Sequence, residues 1–390
     1  MRRHHLIWFP LHRWPGIVIG VWFALVGATG SVLVFEDEID AWLNPQLLTA
    51  PARGAPPLSI EDIATRAAQV HDPADVERVR PPAFAGDVYR VVLRTPPHRR
   101  VGHARIEATF DPATGAALGA RPLESFGLAA PQLMATLYEF HRNVLLGPTG
   151  SNIVGIAGFL LMASVLTGFV LAWPRKRIEW RRLVWLNPKS NATRIAFDAH
   201  RSAGVLFFVL LLLATITGAT LVYLNYVRDL VSVFSPVAPF PTIPWRVATD
   251  EPMPFAGVTR AVARAYPDHR TVEIHMPAQR TGGYVFYLRT PGDEHRLGDT
   301  VLWVHPVTAE ILVERSDRTR NAGETFMHWL YPLHSGTAFG FGGRVAMAAT
   351  GGLPLLLVST GLWVWWRKKR GERIGREHRR QRATMRPRDI

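Results

Sequence analysis

Residues 137–173, LYEFHRNVLLGPTGSNIVGIAGFLLMASVLTGFVLAW, and residues 330–366, LYPLHSGTAFGFGGRVAMAATGGLPLLLVSTGLWVWW, decide the fold. Laid over one another without a gap, 193 positions apart, they place Leu137 and Tyr138 on Leu330 and Tyr331, and His141 on His334. Gly147 falls on Gly340, Thr167 and Gly168 on Thr360 and Gly361, and Trp173 on Trp366. A shift of 188 positions relates two other apolar stretches. It lays Phe9 on Phe197, His12 and Arg13 on His200 and Arg201, Gly16 on Gly204, and Thr29 and Gly30 on Thr217 and Gly218. The chain therefore reads as a doubled half, each half running span, soluble lobe, span.

Working outward, four stretches are long and apolar enough to cross a bilayer: residues 16–35, 152–173, 202–226 and 344–366. About 20 residues at 1.5 Å rise cover a hydrocarbon core of ~30 Å. None of the four contains Asp, Glu or Lys. Pro354 inside the last predicts a kink. Of 390 residues, 48% are hydrophobic, and the mean hydropathy is close to zero, as suits a membrane protein with substantial soluble parts.

The net charge of +14 first suggests nucleic acid, but its distribution argues otherwise. Residues 1–13, 174–201 and 367–390 hold 22 Lys and Arg against 5 Asp and Glu, so the rest of the chain is net acidic. Short basic segments flanking spans are the mark of cytoplasmic loops. We expect no nucleic-acid partner, a lipid bilayer around the spans, and both termini in the cytoplasm of a bacterial inner membrane. The expected order is a cytoplasmic N-terminus with the first span (1–40), a periplasmic lobe (41–135) and a second span (136–174). A cytoplasmic loop (175–201), a third span (202–226), a second periplasmic lobe (227–328), a fourth span (329–367) and a basic tail (368–390) follow. The fold class expected is a membrane α-helical bundle of four spanning helices with two small α+β lobes.

In the first lobe, residues 60–70 have helical spacing, and residues 88–93 and 104–110 read as strands closed by a turn at 111–115. In the second, residues 258–265 read as helix, and 272–275, 284–288 and 301–304 as strands closed by a turn at 305–309. Proline-rich joints at 51–57 and 236–254 link lobes to spans. Glu36, Asp37, Glu38 and Asp40 read as a solvated helix end. The chain has no cysteine, which excludes disulfides, thiolate metal sites, iron–sulfur clusters and thioether-attached haem. No dinucleotide fingerprint, phosphate loop or serine nucleophile motif is present.

Of fifteen histidines, four occupy matching positions of the repeat: His12, His141, His200 and His334. His12 and His200 precede spans that start inside; His141 and His334 precede spans that start outside. A two-fold repeat brings each couple together, and two facing imidazoles between helices are a usual way to hold a b-type haem, with a structural role, a non-haem metal or a proton path as the other readings. Arg13, Arg201 and Arg142 are placed to pair with haem propionates. The threonine–glycine pairs at 29–30 and 167–168 suit close helix approach or haem contact. His328, whose repeat counterpart is Ala135, is a substitute ligand, a haem-edge contact or a surface residue. His98 and His103 flank a basic loop with Arg99, Arg100 and Arg105, and the remaining histidines read as solvated.

The residues 11–16 (LHRWPG), 29–35 (TGSVLVF) and 332–336 (PLHSG) resemble the PepSY-associated transmembrane family, and the lobes resemble PepSY domains. Members of this size and layout include FoxB-type inner-membrane ferrisiderophore reductases. The resemblance implies two b-type haems, with His12, His200, His141 and His334 matching the family's membrane histidines and Tyr138 and Tyr331 near haem. It implies an oxidoreductase that passes electrons, from a quinol or a cytoplasmic donor, to a ferric siderophore or other iron chelate in the periplasm. A second reading makes the lobes binding or regulatory modules on helical anchors with no cofactor, and a third makes the chain a transporter.

Overall fold

The computed structural model describes residues 3–54, 56–71, 74–95, 105–123, 126–173, 183–239, 253–277, 282–293 and 295–384. The loop carrying His98 to His103 lies outside them. In chain order come helices α1 (Arg3–Val18), α2 (Gly20–Leu33), α3 (Glu36–Leu43), α4 (Pro45–Leu48) and α5 (Ile60–Val70). Strands β1 (Asp75–Arg80), β2 (Tyr89–Arg94), β3 (Arg105–Phe110) and β4 (Ala117–Pro122) follow, then α6 (Ala130–Asn143) and α7 (Gly147–Ala172). The second half repeats the order with α8 (Ala192–Leu206), α9 (Phe208–Val222), α10 (Leu224–Ser232) and α11 (Phe255–Ala265). After these come β5 (Arg270–His275), β6 (Tyr284–Arg289), β7 (Thr300–Val304), β8 (Ile311–Arg315), α12 (Ala322–Ser335) and α13 (Gly340–Thr384). The chain divides into two compact units: Met1–Ser31, Phe140–Val222 and Val345–Ile390 form one, Val32–Glu139 and Tyr223–Arg344 the other.

The first unit is helical. Two helices are long and apolar enough to cross a membrane, or up to four if each of two bent pairs is one span. The expected spans at 16–35 and 202–226 fall on these bent pairs, and the bends are not part of the sequence reading. α1 and α2 meet at 66°, as do α8 and α9. The break residues, Ile19 and Phe207, stand one repeat apart. The reason lies in composition: α1 and α8 carry Arg13, Arg194, Asp198 and Arg201, which resist a hydrocarbon core, whereas α2 and α9 carry only apolar and small residues. α13 continues through Pro354 as one helix to Thr384, so the expected kink does not break it and the segment expected as a tail is largely helical.

Small residues let these helices approach. A methyl at Gly158 would touch the Ala219 side chain at 3.4 Å. At the equivalent place in the other half, a methyl at Gly351 would lie 2.6 Å from Ser31 Oγ, which donates to the Ala348 carbonyl at 2.6 Å. Close approach at small residues is how helices associate where no water drives them together. The repeat is thus visible in the packing as well as in the residues.

The second unit contains a sheet, and it corrects the expectation of two separate lobes. All eight described strands form one antiparallel sheet in the order β4-β3-β2-β1-β5-β6-β7-β8. The halves join where Arg78 pairs with His275 and Val79 with Ile274. Each half packs one helix on the sheet. Ile63, Ala64 and Ala67 of α5 cover Val79, Tyr89, Val91, Leu93, Ala108 and Phe110. Val258 and Val262 of α11 cover Ile274, Phe286, Leu288, Leu302 and Val304. Strands β1, β4 and β8 escape a reading by alternation, because DVERVR is mostly charged and ALGARP carries Gly and Pro. Their partners supply the pairing that their own sequence does not announce.

The acidic segment is not a solvated end. Asp37 meets Arg296 at 2.6 Å, Arg80 at 3.6 Å and Arg90 at 3.7 Å. Asp40, 4% exposed, takes both terminal nitrogens of Arg121, which also reaches Glu107 at 2.7 Å. The two strand-closing turns use different side chains for one job. Asp111 Oδ1 accepts from the Ala113 and Thr114 amides, and His305 Nδ1 accepts from those of Val307 and Thr308. His305 is therefore a turn residue rather than a solvated one.

Candidate functional site

α1, α7, α8 and α13 bring His12 and His200 together. Their ring centres lie 5.9 Å apart, with the planes at 80°. Each ring is fixed from behind in the same way. His12 Nδ1 donates to the Ser164 carbonyl at 2.8 Å, and His200 Nδ1 donates to the Leu357 carbonyl at 2.8 Å. Each of these carbonyls stands three residues before a threonine–glycine pair, Thr167 and Gly168 or Thr360 and Gly361. The glycine faces the ring: a Cβ at Gly168 would sit 2.7 Å from His12 Cε1, and one at Gly361 3.2 Å from His200 Cε1. Thr360 Oγ1 adds a contact to His200 Nδ1 at 3.2 Å, and Ser164 Oγ one to His12 Nδ1 at 3.3 Å.

A third histidine has the same setting. His141, in the last turn of α6, donates from Nδ1 to the Val26 carbonyl at 2.8 Å, three residues before Thr29. A Cβ at Gly30 would lie 2.7 Å from its Cε1. Three threonine–glycine pairs, at 29–30, 167–168 and 360–361, are thus seats for histidine rings on other helices. The signal was present in the sequence, because these pairs recur with the same two shifts as the histidines. His334 belongs to the sheet unit, in the last turn of α12, where Gly336 (φ 81°) ends the helix.

The chemical consequence is a fixed tautomer. A carbonyl only accepts, so Nδ1 carries the hydrogen and Nε2 keeps its lone pair, as in histidines that bind a metal through Nε2. Two imidazoles on one iron, at about 2 Å per Fe–N bond, hold their ring centres roughly 6 Å apart. The observed couple fits that requirement. Among the described residues no group of three or more His, Cys, Asp or Glu is placed to hold a metal ion; a haem with its own four nitrogens needs only two. The Arg13 Nε and Trp22 Nε1 hydrogens are buried with no hydrogen-bond acceptor among the described residues, which suits a further polar group in this unit.

The other expected residues divide. The Arg13 guanidinium stacks on Phe9 and Trp14, with its Nε available to a propionate. Arg201 is engaged by Asp198 at 3.0 Å and lies over Phe197. Arg142 is exposed. His328 does not act as a substitute ligand in this arrangement: its Nε2 contacts Asp299 at 2.9 Å and its Nδ1 accepts from Arg320 at 3.0 Å, so both ring nitrogens are occupied. Tyr138 and Tyr331 are 48% and 37% exposed, each beginning the turn before its histidine.

A family model, the PepSY-associated TM region, matches residues 9–368. The chain belongs to that family and is a membrane protein. No curated protein matches it.

Proposed function

We propose that this PepSY-associated transmembrane chain is a di-haem oxidoreductase of a bacterial inner membrane. It carries electrons from a quinol or a cytoplasmic donor outward to an iron(III) chelate, with a ferric siderophore as the leading substrate. The observation that carries the reading is the matched setting of His12 and His200, each with Nδ1 spent on a backbone carbonyl and Nε2 left to ligate. The repeat gives His141 and His334 the equivalent part at the opposite end of the spans.

Haem b bound there supplies a one-electron carrier whose potential depends on its axial ligands and burial. The chain supplies the rest. Ser164 and Leu357 orient the imidazoles and fix their tautomers, so no proton must move when the ligand bond forms. Gly168 and Gly361 leave room for the rings to stand against their helices. Arg13 offers a positive charge and a spare donor for a propionate. Apolar helices exclude water, which keeps the carrier from leaking electrons to solvent species.

Iron(III) is held tightly by hard oxygen donors, and iron(II) much less so. One electron added to the chelate therefore yields iron(II) and the free chelator, with no bond to the protein made or broken. An oxidised and a dithionite-reduced spectrum of the purified protein test this. A Soret band and a sharpened α band on reduction are expected, together with iron(II) release to a chromogenic chelator. A protein without a Soret band ends the reading and leaves a binding module on helical anchors.

A further inference from the structure

α12 carries His328 and Tyr331 ahead of His334, and the loop between β6 and β7 folds onto it. That loop is tightly built. The Asp293 carboxylate accepts from the Thr290 amide at 2.9 Å and the Asp299 amide at 3.0 Å, and the Gly298 amide donates to the His295 carbonyl at 2.9 Å. Gly298 (φ 85°) has no room for a Cβ, which would fall 2.0 Å from the Leu288 carbonyl oxygen.

The loop holds His295 with its ring centre 5.3 Å from that of His328 and 5.4 Å from that of Tyr331. His295 Nδ1 accepts from the Leu297 amide at 3.2 Å. A neutral imidazole accepting at Nδ1 carries its hydrogen on Nε2. Burial, helped by the charges of His328, Arg320 and Arg289 and opposed by Asp299, pushes His295 down to about 4, so the ring is neutral at ordinary pH. Behind it, His328 is locked between Asp299 and Arg320, and Arg320 also donates to the Asp299 carbonyl at 3.0 Å. The loop thus holds a half-buried, uncharged ring with its hydrogen on Nε2 in a tightly bonded mount, next to Tyr331, a residue 37% exposed. The mount exists in one half of the doubled chain, since Ala135 stands at the counterpart of His328. A scaffold duplicated for packing does not require it there.

We propose that His295 Nε2–H, on the loop whose ring packs beside Tyr331, is the docking contact for the iron-bound oxygens of a hydroxamate or catecholate chelate. This rests on the reductase reading and names where its substrate is held. An uncharged donor fits such oxygens, which keep part of the negative charge of the deprotonated chelator after the metal has drawn on it. A hydrogen bond to an iron-bound oxygen also withdraws electron density from the iron and so favours its reduction. The position, one turn of α12 ahead of His334, sets the chelate on the helix that carries the proposed outer ligand.

The gallium(III) complex of a linear trihydroxamate is the probe, because it has the shape of the iron complex and accepts no electron. Its binding to the full-length protein in nanodiscs is measured by calorimetry for the wild type, His295→Ala and His295→Gln. His295→Ala is expected to weaken binding about tenfold, the loss of one hydrogen bond to a charged group. His295→Gln, which keeps an N–H near the place of Nε2, recovers part of it. The visible spectrum and the oxidation rate by ferricyanide stay as in the wild type, which separates a docking role from a collapsed fold. Equal binding by the wild type and His295→Ala overturns the proposal, as does a wild type that fails to bind the gallium complex. If the protein carries no haem yet binds gallium through His295, the reductase reading falls and the docking site stands.

Discussion

Two settings of histidine, one against a backbone carbonyl and one against a carboxylate, contrast the helical unit with the sheet. In the helices, His12, His141 and His200 each rest Nδ1 on a backbone carbonyl. In the sheet unit, His275 contacts Glu273 at 2.5 Å and His328 contacts Asp299 at 2.9 Å, each through Nε2. A carbonyl accepting from Nδ1 orients the ring and puts the lone pair of the neutral imidazole on Nε2. A carboxylate occupies the nitrogen that would ligate. Residue type and burial are similar in both places; the partner atom decides what the imidazole can do.

The contrast breaks most visibly by deleting a ring from each class. His200→Ala is expected to remove one of two haems, halving the haem content by pyridine haemochrome assay, while His275→Ala leaves it unchanged. Equal haem in both variants would erase the distinction. Next in size are the glycine seats. A Cβ at residue 168 meets His12 at 2.7 Å and one at residue 361 meets His200 at 3.2 Å, so Gly168→Ala should disturb the inner couple more than Gly361→Ala. Overpacking of this kind costs ~1–3 kcal/mol, read as a lower melting temperature and a weakened low-spin spectrum.

The carboxylate class is sharpened by pH. Burial works to raise the pKa of Glu273, but the hydrogen bond from His275 and the charges of His275, Arg78 and Arg80 outweigh it and leave it depressed. Its contribution is therefore full above the ordinary carboxylate range and is lost as pH falls through the depressed value. Glu273→Gln should cost on the order of 1 kcal/mol at pH 7 and progressively less as the pH falls below the ordinary carboxylate range, measured by denaturant melts. The smallest effect is expected of Thr360→Val. It removes a hydroxyl 3.2 Å from His200 Nδ1 but keeps the Leu357 carbonyl at 2.8 Å, so the haem content should hold and the midpoint potential shift slightly.

Much of the helical unit was legible. The apolar stretches, the doubled order and the coupled placement of His12 and His200 all follow from periodicity and repeat shifts, because a span must be continuous and apolar whatever it packs against. The bends at Ile19 and Phe207 were not, since a run of apolar residues fixes that a segment is helical in lipid but not that it is straight. Nor were the ion pairs of Asp37 and Asp40, whose arginines lie far along the chain. His328 was ambiguous as a lone histidine before a span; Asp299 and Arg320 define it, and neither is near it in a helical or strand register.

By itself the sequence determined a membrane chain made of two similar halves, and which four histidines sit at equivalent places. Composition and spacing are local properties that survive without knowledge of any contact. Only the tertiary structure decided that the two lobes share one sheet through Arg78–Val79 and Ile274–His275, and that threonine–glycine pairs on one helix seat histidines from another. Both depend on which backbone atoms meet across more than a hundred residues. Hydrogen bonding and excluded volume settle such meetings, and no pattern within a single segment encodes them.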